Sequence, residues 1–173
     1  MKAWMGIGIS NTYVKLLKNL PKKLDKRKYE SILFILADEP DKKFNGRERI
    51  QLSKDLFNLS SKIKIDGMKI WVERWRYLSE NKEYIKIFRK FRRKYFLNLK
   101  FRREVNKIVT KNRVYMDRDD LTKRKDYVLA ELASINYLSS KGITKIGPKE
   151  QEGVFDELAH KFPIVDEVKT ETF

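Results

Sequence analysis

The chain has 173 residues and carries 40 Lys and Arg against 24 Asp and Glu, which gives a formal net charge of +16. Hydrophobic residues make up 41% and aromatic residues 12%, too many for a disordered basic tail, so we expect one folded domain spanning residues 1–173. The absence of Cys excludes disulfides, thiolate-bound zinc and a thiol nucleophile, and a single His, His160, argues against His-based metal sites. No metal and no cofactor is expected.

The chain contains no apolar run long enough to cross a membrane, and its start lacks the segments of a signal peptide. A cytoplasmic protein that does not bind membranes is therefore expected. A sequence pI of about 9.9 predicts a polyanionic partner. Nucleic acid is the simplest such partner, and an anionic membrane surface is the weaker alternative.

The first part of the chain has the pattern that opens an α/β fold. Apolar residues predict a buried strand over residues 3–9, and helical spacing predicts a helix over residues 12–20 that Pro21 ends. The continuous apolar run over residues 31–37 predicts a second strand of the kind found inside parallel sheets. A strand, a crossover helix and a second strand predict an α/β fold with a parallel sheet.

Helices dominate the rest of the predicted structure. One long helix, or two nearly contiguous ones, is predicted over residues 83–110, which contain neither Gly nor Pro. The other predictions are a helix over 47–59, a strand over 68–75, a helix over 121–139 stopped by Gly142, a short strand over 143–146, a helix from Pro148 to His160 and a last strand over 162–168.

Most of the excess charge lies in one segment at about residues 83–113. Between Lys86 and Arg113, twelve Lys and Arg stand against one acidic residue, Glu104, which gives a local net charge of +11. An apolar stripe at helical spacing is expected to dock on the fold, and it consists of Tyr84, Phe88, Phe91, Tyr95 and Leu99. The cations would then face water and suit the backbone of an RNA duplex such as a tRNA acceptor stem. A merely solvated face and a membrane-surface helix remain alternatives.

The loop after the first predicted strand places a hydroxyl group, that of Ser10, at the strand's carboxyl end. Ligands of α/β folds bind at this end of parallel strands, so Ser10 is a candidate nucleophile. Ser10 and Asn11 are equally residue types that cap helices, which leaves a structural role open. Asp38 follows the second predicted strand and, in a parallel sheet, lies at the same edge as Ser10.

Tyr127 and Glu131 are four residues apart and therefore share one face of a predicted helix. A phenol and a carboxylate so placed can together hold an ammonium group. Apolar neighbours on both sides of Glu131 predict that its carboxyl is partly buried, and a buried carboxyl needs a partner. The structural alternatives are a helix–sheet contact for Tyr127 and a salt bridge to an arginine for Glu131.

Taken in order, these segments resemble the tRNA-dependent cyclodipeptide synthases. The resemblance consists of the loop with Gly8, Ser10, Asn11 and Tyr13, the strand ending in Asp38-Glu39-Pro40, the segment around Arg74-Trp75, the basic helix, and Tyr127, Glu131 and Leu132. It implies a Rossmann-like three-layer α/β sandwich with a mostly parallel sheet, as in the catalytic domains of class I aminoacyl-tRNA synthetases.

The resemblance also implies an aminoacyltransferase that joins two aminoacyl-tRNAs per turnover into a cyclic dipeptide. Ser10 would carry the aminoacyl and dipeptidyl groups, and Tyr127 and Glu131 would hold the amino group. Further substrate contacts would come from Gly8, Asn11, Tyr13 and Asp38. The tRNA would lie on Arg89, Lys90, Arg92, Arg93, Lys94, Lys100, Arg102 and Arg103. A non-catalytic tRNA-binding or RNA-binding protein and an aminoacyl-tRNA deacylase are the alternatives.

The sequence departs from that family at two places. Most members have an Asn three positions after the Ser, whereas Asn11 follows Ser10 directly. Members also carry a Tyr before a His or Pro at the end of a late strand, and the corresponding residues 146–148 keep the Pro without the Tyr.

Overall fold

The computed structural model describes residues 1–8, 10–25, 27–37, 47–111, 121–148 and 153–173. In chain order its elements are β1 (Lys2–Ile7), α1 (Asn11–Lys23), β2 (Ser31–Leu36), α2 (Arg47–Lys62), β3 (Lys69–Arg74), α3 (Arg76–Ser79), α4 (Lys82–Leu97), α5 (Leu99–Lys111), α6 (Leu121–Ser140), β4 (Thr144–Gly147), α7 (Val154–Lys161) and β5 (Thr170–Thr172).

The strands within these described ranges form one five-stranded sheet in the order β3-β2-β1-β4-β5. Every neighbouring pair is parallel: Ile7 of β1 lies beside Leu36 of β2, and Trp4 of β1 beside Lys145 of β4. The carboxyl ends of these strands therefore meet at one edge, where α/β folds bind ligands. The predicted α/β sandwich with a parallel sheet is confirmed.

Successive side chains of β1 enter two separate apolar clusters, as strand geometry requires. Met5 and Ile7 pack with Leu17 and Leu20 of α1 on one face of the sheet, in a cluster that α2 also joins. Trp4 lies on the other face, in a cluster built mainly from α4, α5, α6 and α7. Helices therefore cover both faces, which explains why β1 and β2 are apolar along nearly their whole length.

α6 is the central helix of the second cluster, and Leu129, Leu132 and Ile135 on it are fully buried. The buried polar side chain of Asn136 donates to the Leu132 carbonyl at 2.9 Å, so it is not left unsatisfied inside the fold. Gly142, with φ of +72°, turns the chain after the helix. The predicted helix over 121–139 is confirmed, and its burial gives the side chains of its first half a rigid base.

The basic segment forms two helices, α4 and α5, that meet at Asn98. Asn98 ends α4 in an extended conformation, and its side-chain oxygen accepts the Phe101 N–H at 2.9 Å at the start of α5. Of the two structures predicted for residues 83–110, two nearly contiguous helices are therefore correct and one long helix is not. The break also changes the helical phase, so Leu99 is 59% exposed instead of extending the buried stripe of Tyr84 and Phe91.

The prediction that Pro21 ends the first helix is wrong, because α1 continues to Lys23. Pro21 has no N–H for an intrahelical hydrogen bond. The Leu24 N–H still donates to the Leu20 carbonyl at 3.1 Å, and both leucines are buried in the cluster with Leu17. Packing of these leucines holds the turn that the proline weakens.

Two predictions near the end of the chain are also wrong. Pro148 is buried directly after β4 and is not helical, and α7 begins only after Gly153. The last strand is β5, whereas Phe162, Ile164 and Val168 pack on the helical cluster. Backbone groups here pair with α6 side chains, since the Ile164 N–H donates to Asn136 at 2.8 Å. The alternation of apolar residues over 162–168 thus belongs to a loop that packs on α6 and the other helices of this cluster, and within the described ranges no strand pairs with it.

Among the described residues, no helix is both long enough and apolar enough to span a membrane.

Candidate functional site

Ser10 stands between the end of β1 and the first turn of α1. Its backbone is extended, with φ −153° and ψ 158°, and its side chain makes no capping hydrogen bond to the helix. The Ser10 N–H donates to the Gly8 carbonyl at 3.0 Å, and the Ser10 carbonyl accepts the Tyr13 N–H at 3.1 Å. The backbone is therefore held in place while the hydroxyl serves no capping role, contrary to the structural alternative for Ser10.

The first turn of α1 contains no acidic residue. No side chain of this turn therefore neutralises the positive end of the helix dipole next to the Ser10 hydroxyl. Negative charge that develops on an oxygen at this position is stabilised by such a helix end. This setting suits a hydroxyl that acts as a nucleophile.

Gly8 and Tyr13 are packed against each other beside Ser10. A Cβ atom at Gly8 would lie 2.8 Å from Cε2 of the Tyr13 ring, too close for van der Waals contact. Gly8 is therefore needed for the tyrosine ring to fold back over the end of β1. Asn11, by contrast, is exposed as the first residue of α1.

Asp38 lies outside the described residues. Leu36, two residues before it, pairs with Ile7 in the β1–β2 ladder. β2 thus ends at the sheet edge where the Ser10 loop begins.

Tyr127 and Glu131 contact each other on α6, as their spacing predicts. The Tyr127 hydroxyl is hydrogen-bonded to the Glu131 carboxylate, and the Tyr127 ring meets the Phe155 ring of α7 edge-on with centroids 6.1 Å apart. Both side chains are partly buried. The pair is therefore a preformed phenol–carboxylate arrangement, of the kind that can hold an ammonium group.

The surroundings of Glu131 act on its ionisation in both directions. Burial raises the pKa of Glu131, and the negative charge of Asp156 raises it further, whereas Lys145 and the Tyr127 hydrogen bond lower it. The pKa of Tyr84, across from Glu131 on α4, is raised by burial and by the Glu131 charge. Glu131 is thus a carboxyl whose ionised form depends on specific neighbours.

Lys145 and Asp156 were missed by sequence reasoning. Lys145 Nζ lies 2.5 Å from Asp156 Oδ1, and the two side chains are only 16% and 17% exposed. A lysine between Thr144 and Ile146 does mark one polar position in an otherwise buried strand. Nothing in the spacing identifies its partner on α7, because only the packing of α7 on the sheet brings the two together.

Two glycines leave the sheet open beneath this part of α6. Extending the β1–β4 register by two residues beyond Trp4 and Lys145 brings Gly6 level with Gly147. A Cβ atom at Gly147 would meet no atom within 4 Å, and one at Gly6 would come no closer than 3.7 Å to the Trp4 ring. β1 and β4 therefore carry no side chain at this level on the face covered by α6, which leaves room for a small group beside Ile35 of β2, the register partner of Gly6.

Among the described residues, no group of three or more His, Asp or Glu side chains could hold a metal ion.

The basic residues of α4 and α5 form an extended charged surface, with Tyr84 and Phe91 turned inward. Its exposed members are Lys82, Lys86, Arg89, Lys90, Arg92, Arg93, Lys100, Arg103 and Lys107, with Arg102 partly buried. Glu104 is already engaged by Lys107 and by Lys161 of α7. Glu104 therefore offsets Lys107 of this surface, and Glu83, the other acidic residue of the two helices, is paired with Lys141 outside them.

Lys94 is placed differently from the other cations of this surface. Its ammonium donates to the carbonyl oxygens of Phe162 and Pro163, at 3.2 Å each. Partial burial lowers the pKa of Lys94. This lysine therefore fastens the loop after α7 to α4.

The charged surface leads toward the half of α6 that carries Tyr127. At one end of α4, Glu83 forms an ion pair with Lys141, just after α6 ends. Near the other end, the Lys125 ammonium lies 5.6 Å from the centre of the Tyr95 ring. The two helices are therefore antiparallel, and the α4–α5 junction lies beside the start of α6.

No protein-family profile matches the sequence, and no curated protein matches it. Solved structures do share its fold. A cyclodipeptide synthase from Fluoribacter dumoffii is similar with a TM-score of 0.72 at 10% identity, over 99% of this chain and 88% of that chain. The cyclodipeptide synthase of Candidatus Glomeribacter gigasporarum, solved bound to Phe-tRNAPhe, is similar with a TM-score of 0.55 at 12% identity, over 99% and 87% of the two chains.

The tyrosyl-tRNA synthetase of Archaeoglobus fulgidus is similar with a TM-score of 0.59 at 16% identity, over 92% of this chain and 49% of that chain. The chain therefore has the fold of the cyclodipeptide synthases. An aminoacyl-tRNA synthetase shares this fold over about half of its own length. The resemblance in the sequence is confirmed at the level of the fold.

Proposed function

We propose that the chain is a tRNA-dependent cyclodipeptide synthase, an aminoacyltransferase that joins two aminoacyl-tRNAs. Residues 1–173 act as one domain in this proposal, and the helices at about 83–113 form its tRNA-binding surface. The observation that carries it is the hydrogen-bonded Tyr127–Glu131 pair, placed on the central helix of a fold shared with cyclodipeptide synthases. The Ser10 hydroxyl, which does not cap its helix, supplies the nucleophile.

Binding of tRNA is assigned to the exposed cations of α4 and α5. Their charge matches the phosphates of an acceptor stem, and such contacts fix position without reading sequence. The similar synthase from Candidatus Glomeribacter gigasporarum was solved with Phe-tRNAPhe bound. The antiparallel packing of α4 on α6 brings this surface close to Tyr127, so that one bound tRNA can reach both.

Acyl transfer begins when the Ser10 oxygen attacks the ester carbonyl of the first aminoacyl-tRNA. The ribose hydroxyl leaves with a proton, and an ester of Ser10 replaces the ester of the ribose. One activated ester is exchanged for another, so no ATP is consumed. The strong base that peptide hydrolysis requires is correspondingly less necessary here.

Tyr127 and Glu131 hold the amino group of the bound aminoacyl residue. After this group loses a proton, it attacks the ester of a second aminoacyl-tRNA, which releases the second tRNA and leaves a dipeptide on Ser10. The free amine of the dipeptide then attacks the Ser10 ester. The cyclic dipeptide leaves, and the serine hydroxyl is restored.

The test is to mix the purified protein with aminoacyl-tRNA labelled in the amino acid. We expect label on the protein that survives denaturation and is absent from Ser10→Ala, together with a labelled cyclic dipeptide among the products. The variant should bind tRNA with unchanged affinity, because Ser10 is not on the charged surface.

The two alternatives give different results in the same experiment. An RNA-binding protein without catalysis binds the tRNA, takes up no label and is indifferent to Ser10→Ala. A deacylase releases free labelled amino acid and forms no cyclic product. Either outcome would overturn the proposal.

A further inference from the structure

Glu131 is surrounded by charged and titratable groups from three other elements. Tyr127 acts on it from its own helix, Tyr84 from α4, Lys145 from β4 and Asp156 from α7. Tyr127 has a role in the proposed reaction, and Tyr84 is a buried member of the core whose hydroxyl lies 3.4 Å from the Ala130 carbonyl. Lys145 and Asp156 have no role in that reaction so far.

The sheet register places Lys145 on the face covered by α6 and α7. Lys145 pairs with Trp4, whose side chain belongs to the helical cluster on that face. Asp156 lies in the first turn of α7. The Lys145–Asp156 ion pair is therefore held between β4 and α7 beneath the helix that carries Glu131, and little of either side chain reaches solvent.

The lysine charge is bound to Asp156 and not to Glu131. Within the described part of the chain, Lys145 forms its ion pair with Asp156, at 2.5 Å. An ammonium bonded directly to Glu131 would occupy the carboxylate that the proposed reaction needs for the substrate's amino group. Without any cation nearby, however, a carboxyl as buried as Glu131 would take up a proton.

We propose that the Lys145–Asp156 pair is a positioning device for Glu131, in which Asp156 holds the lysine close enough to keep Glu131 ionised and far enough to leave it free for an amino group. This inference rests on the proposed function for the identity of the amino group. The effect of the pair on the ionisation of Glu131 is independent of the proposed function.

The two members of the pair act on Glu131 with opposite sign. Lys145 lowers the pKa of Glu131 and Asp156 raises it. Replacing Lys145 by Met should therefore raise the pH at which Glu131 titrates, and replacing Asp156 by Asn should lower it. If the pair served only to join β4 to α7, both variants would be less stable, but they would not shift the titration of Glu131 in opposite directions.

The direct test is a carbon-13 NMR titration of the glutamate carboxyl groups in labelled protein, with Glu131→Gln to identify the Glu131 signal. We expect the Glu131 midpoint to rise by about one pH unit in Lys145→Met and to fall by about one in Asp156→Asn. Lys145→Arg, which keeps the charge, should resemble the unmodified protein. The double variant Lys145→Met/Asp156→Asn should return close to the unmodified midpoint, because both charges are gone.

Lys161→Met is the matched control, since Lys161 also anchors α7 through an ion pair, to Glu104 at 3.1 Å. This variant should leave the Glu131 midpoint unchanged. Circular dichroism spectra check that every variant is folded, and Lys145→Arg together with the double variant still test the inference if one single variant is not. Equal midpoints, or shifts of the same sign in both single variants, would overturn it.

The pH dependence of Ser10 acylation gives the second measurement. Its acidic limb should move to higher pH in Lys145→Met and to lower pH in Asp156→Asn. The freed lysine of Asp156→Asn should also raise KM for aminoacyl-tRNA, because it competes for Glu131. If the unmodified protein forms no acyl-enzyme, the proposed function has failed while the NMR titration still decides this inference.

Discussion

At the scale of single residues, Gly8 is required by its neighbour Tyr13 and not by its own backbone, because its φ is not positive. A methyl group at Gly8 would meet the Tyr13 ring at 2.8 Å. We expect Gly8→Ala to lower the free energy of unfolding by about 1–3 kcal/mol, as overpacking does. Acylation of Ser10 should slow as the loop shifts.

The control for this prediction is the same change in a Tyr13→Ala background, measured by chemical denaturation. With the ring gone, Gly8→Ala should cost almost nothing. An equal cost in both backgrounds would show that the steric contact is not the reason for the glycine.

Glu131, which holds the substrate's amino group in the proposed function, is also a residue whose burial costs stability. Burial raises its pKa, so the folded protein holds this proton more tightly than the unfolded chain does. Stability from this group is therefore present at low pH and is lost as the pH rises above its unfolded pKa. Glu131→Gln should raise the free energy of unfolding at neutral pH, make little difference in acid, and abolish acyl transfer.

Denaturant titrations of both proteins at several pH values measure this difference. If Glu131→Gln is less stable than the unmodified protein at neutral pH, burial of the Glu131 carboxyl does not cost stability.

At the scale of elements, α4 combines an outward charged face with one inward lysine. Arg92 and Arg93 are exposed, whereas Lys94 binds two carbonyl groups of the loop after α7. We expect Arg92→Glu/Arg93→Glu to abolish tRNA binding with little change in stability. Lys94→Met should do the reverse, with a loss of about 1–2 kcal/mol in the free energy of unfolding and most tRNA binding kept.

Filter binding and chemical denaturation on both variants separate the two roles. The assignment of the surface is wrong if the double arginine variant still binds tRNA in moderate salt, and that of Lys94 is wrong if its loss leaves stability unchanged.

At the scale of the whole molecule, +11 of the net charge of +16 lies between Lys86 and Arg113, a range that contains most of α4 and α5. If these helices hold the phosphates, the logarithm of the tRNA association constant falls with the logarithm of the salt concentration by about 0.9 per phosphate contact. The milder variant Arg92→Gln/Arg93→Gln, which removes two contacts, should reduce the size of this slope by about 1.8. Lys22→Gln/Lys23→Gln, at the far end of α1, changes the net charge equally and should leave the slope unchanged.

Equal effects of the two double variants on the slope would mean that overall charge, and not the α4–α5 surface, governs binding.

Local sequence determined much of this fold. The apolar runs of β1 and β2 require burial on both faces, and the spacing of Tyr127 and Glu131 places both on one side of any helix that includes them. The basic segment and the serine after β1 are likewise visible in the sequence. These features could be predicted because each depends on residues only a few positions apart.

Tertiary structure alone decided the features that depend on distant residues. Packing of buried leucines lets α1 continue beyond Pro21 to Lys23. Asn98 separates the basic segment into two helices, and the Lys94 ammonium binds carbonyl groups of the loop after α7. Lys145 and Asp156 meet beneath Glu131 only because α6 and α7 pack on the same face of β4. Sequence spacing specifies which side of an element a residue occupies, but the charges that set the ionisation of a buried group come from whatever elements the core brings against it.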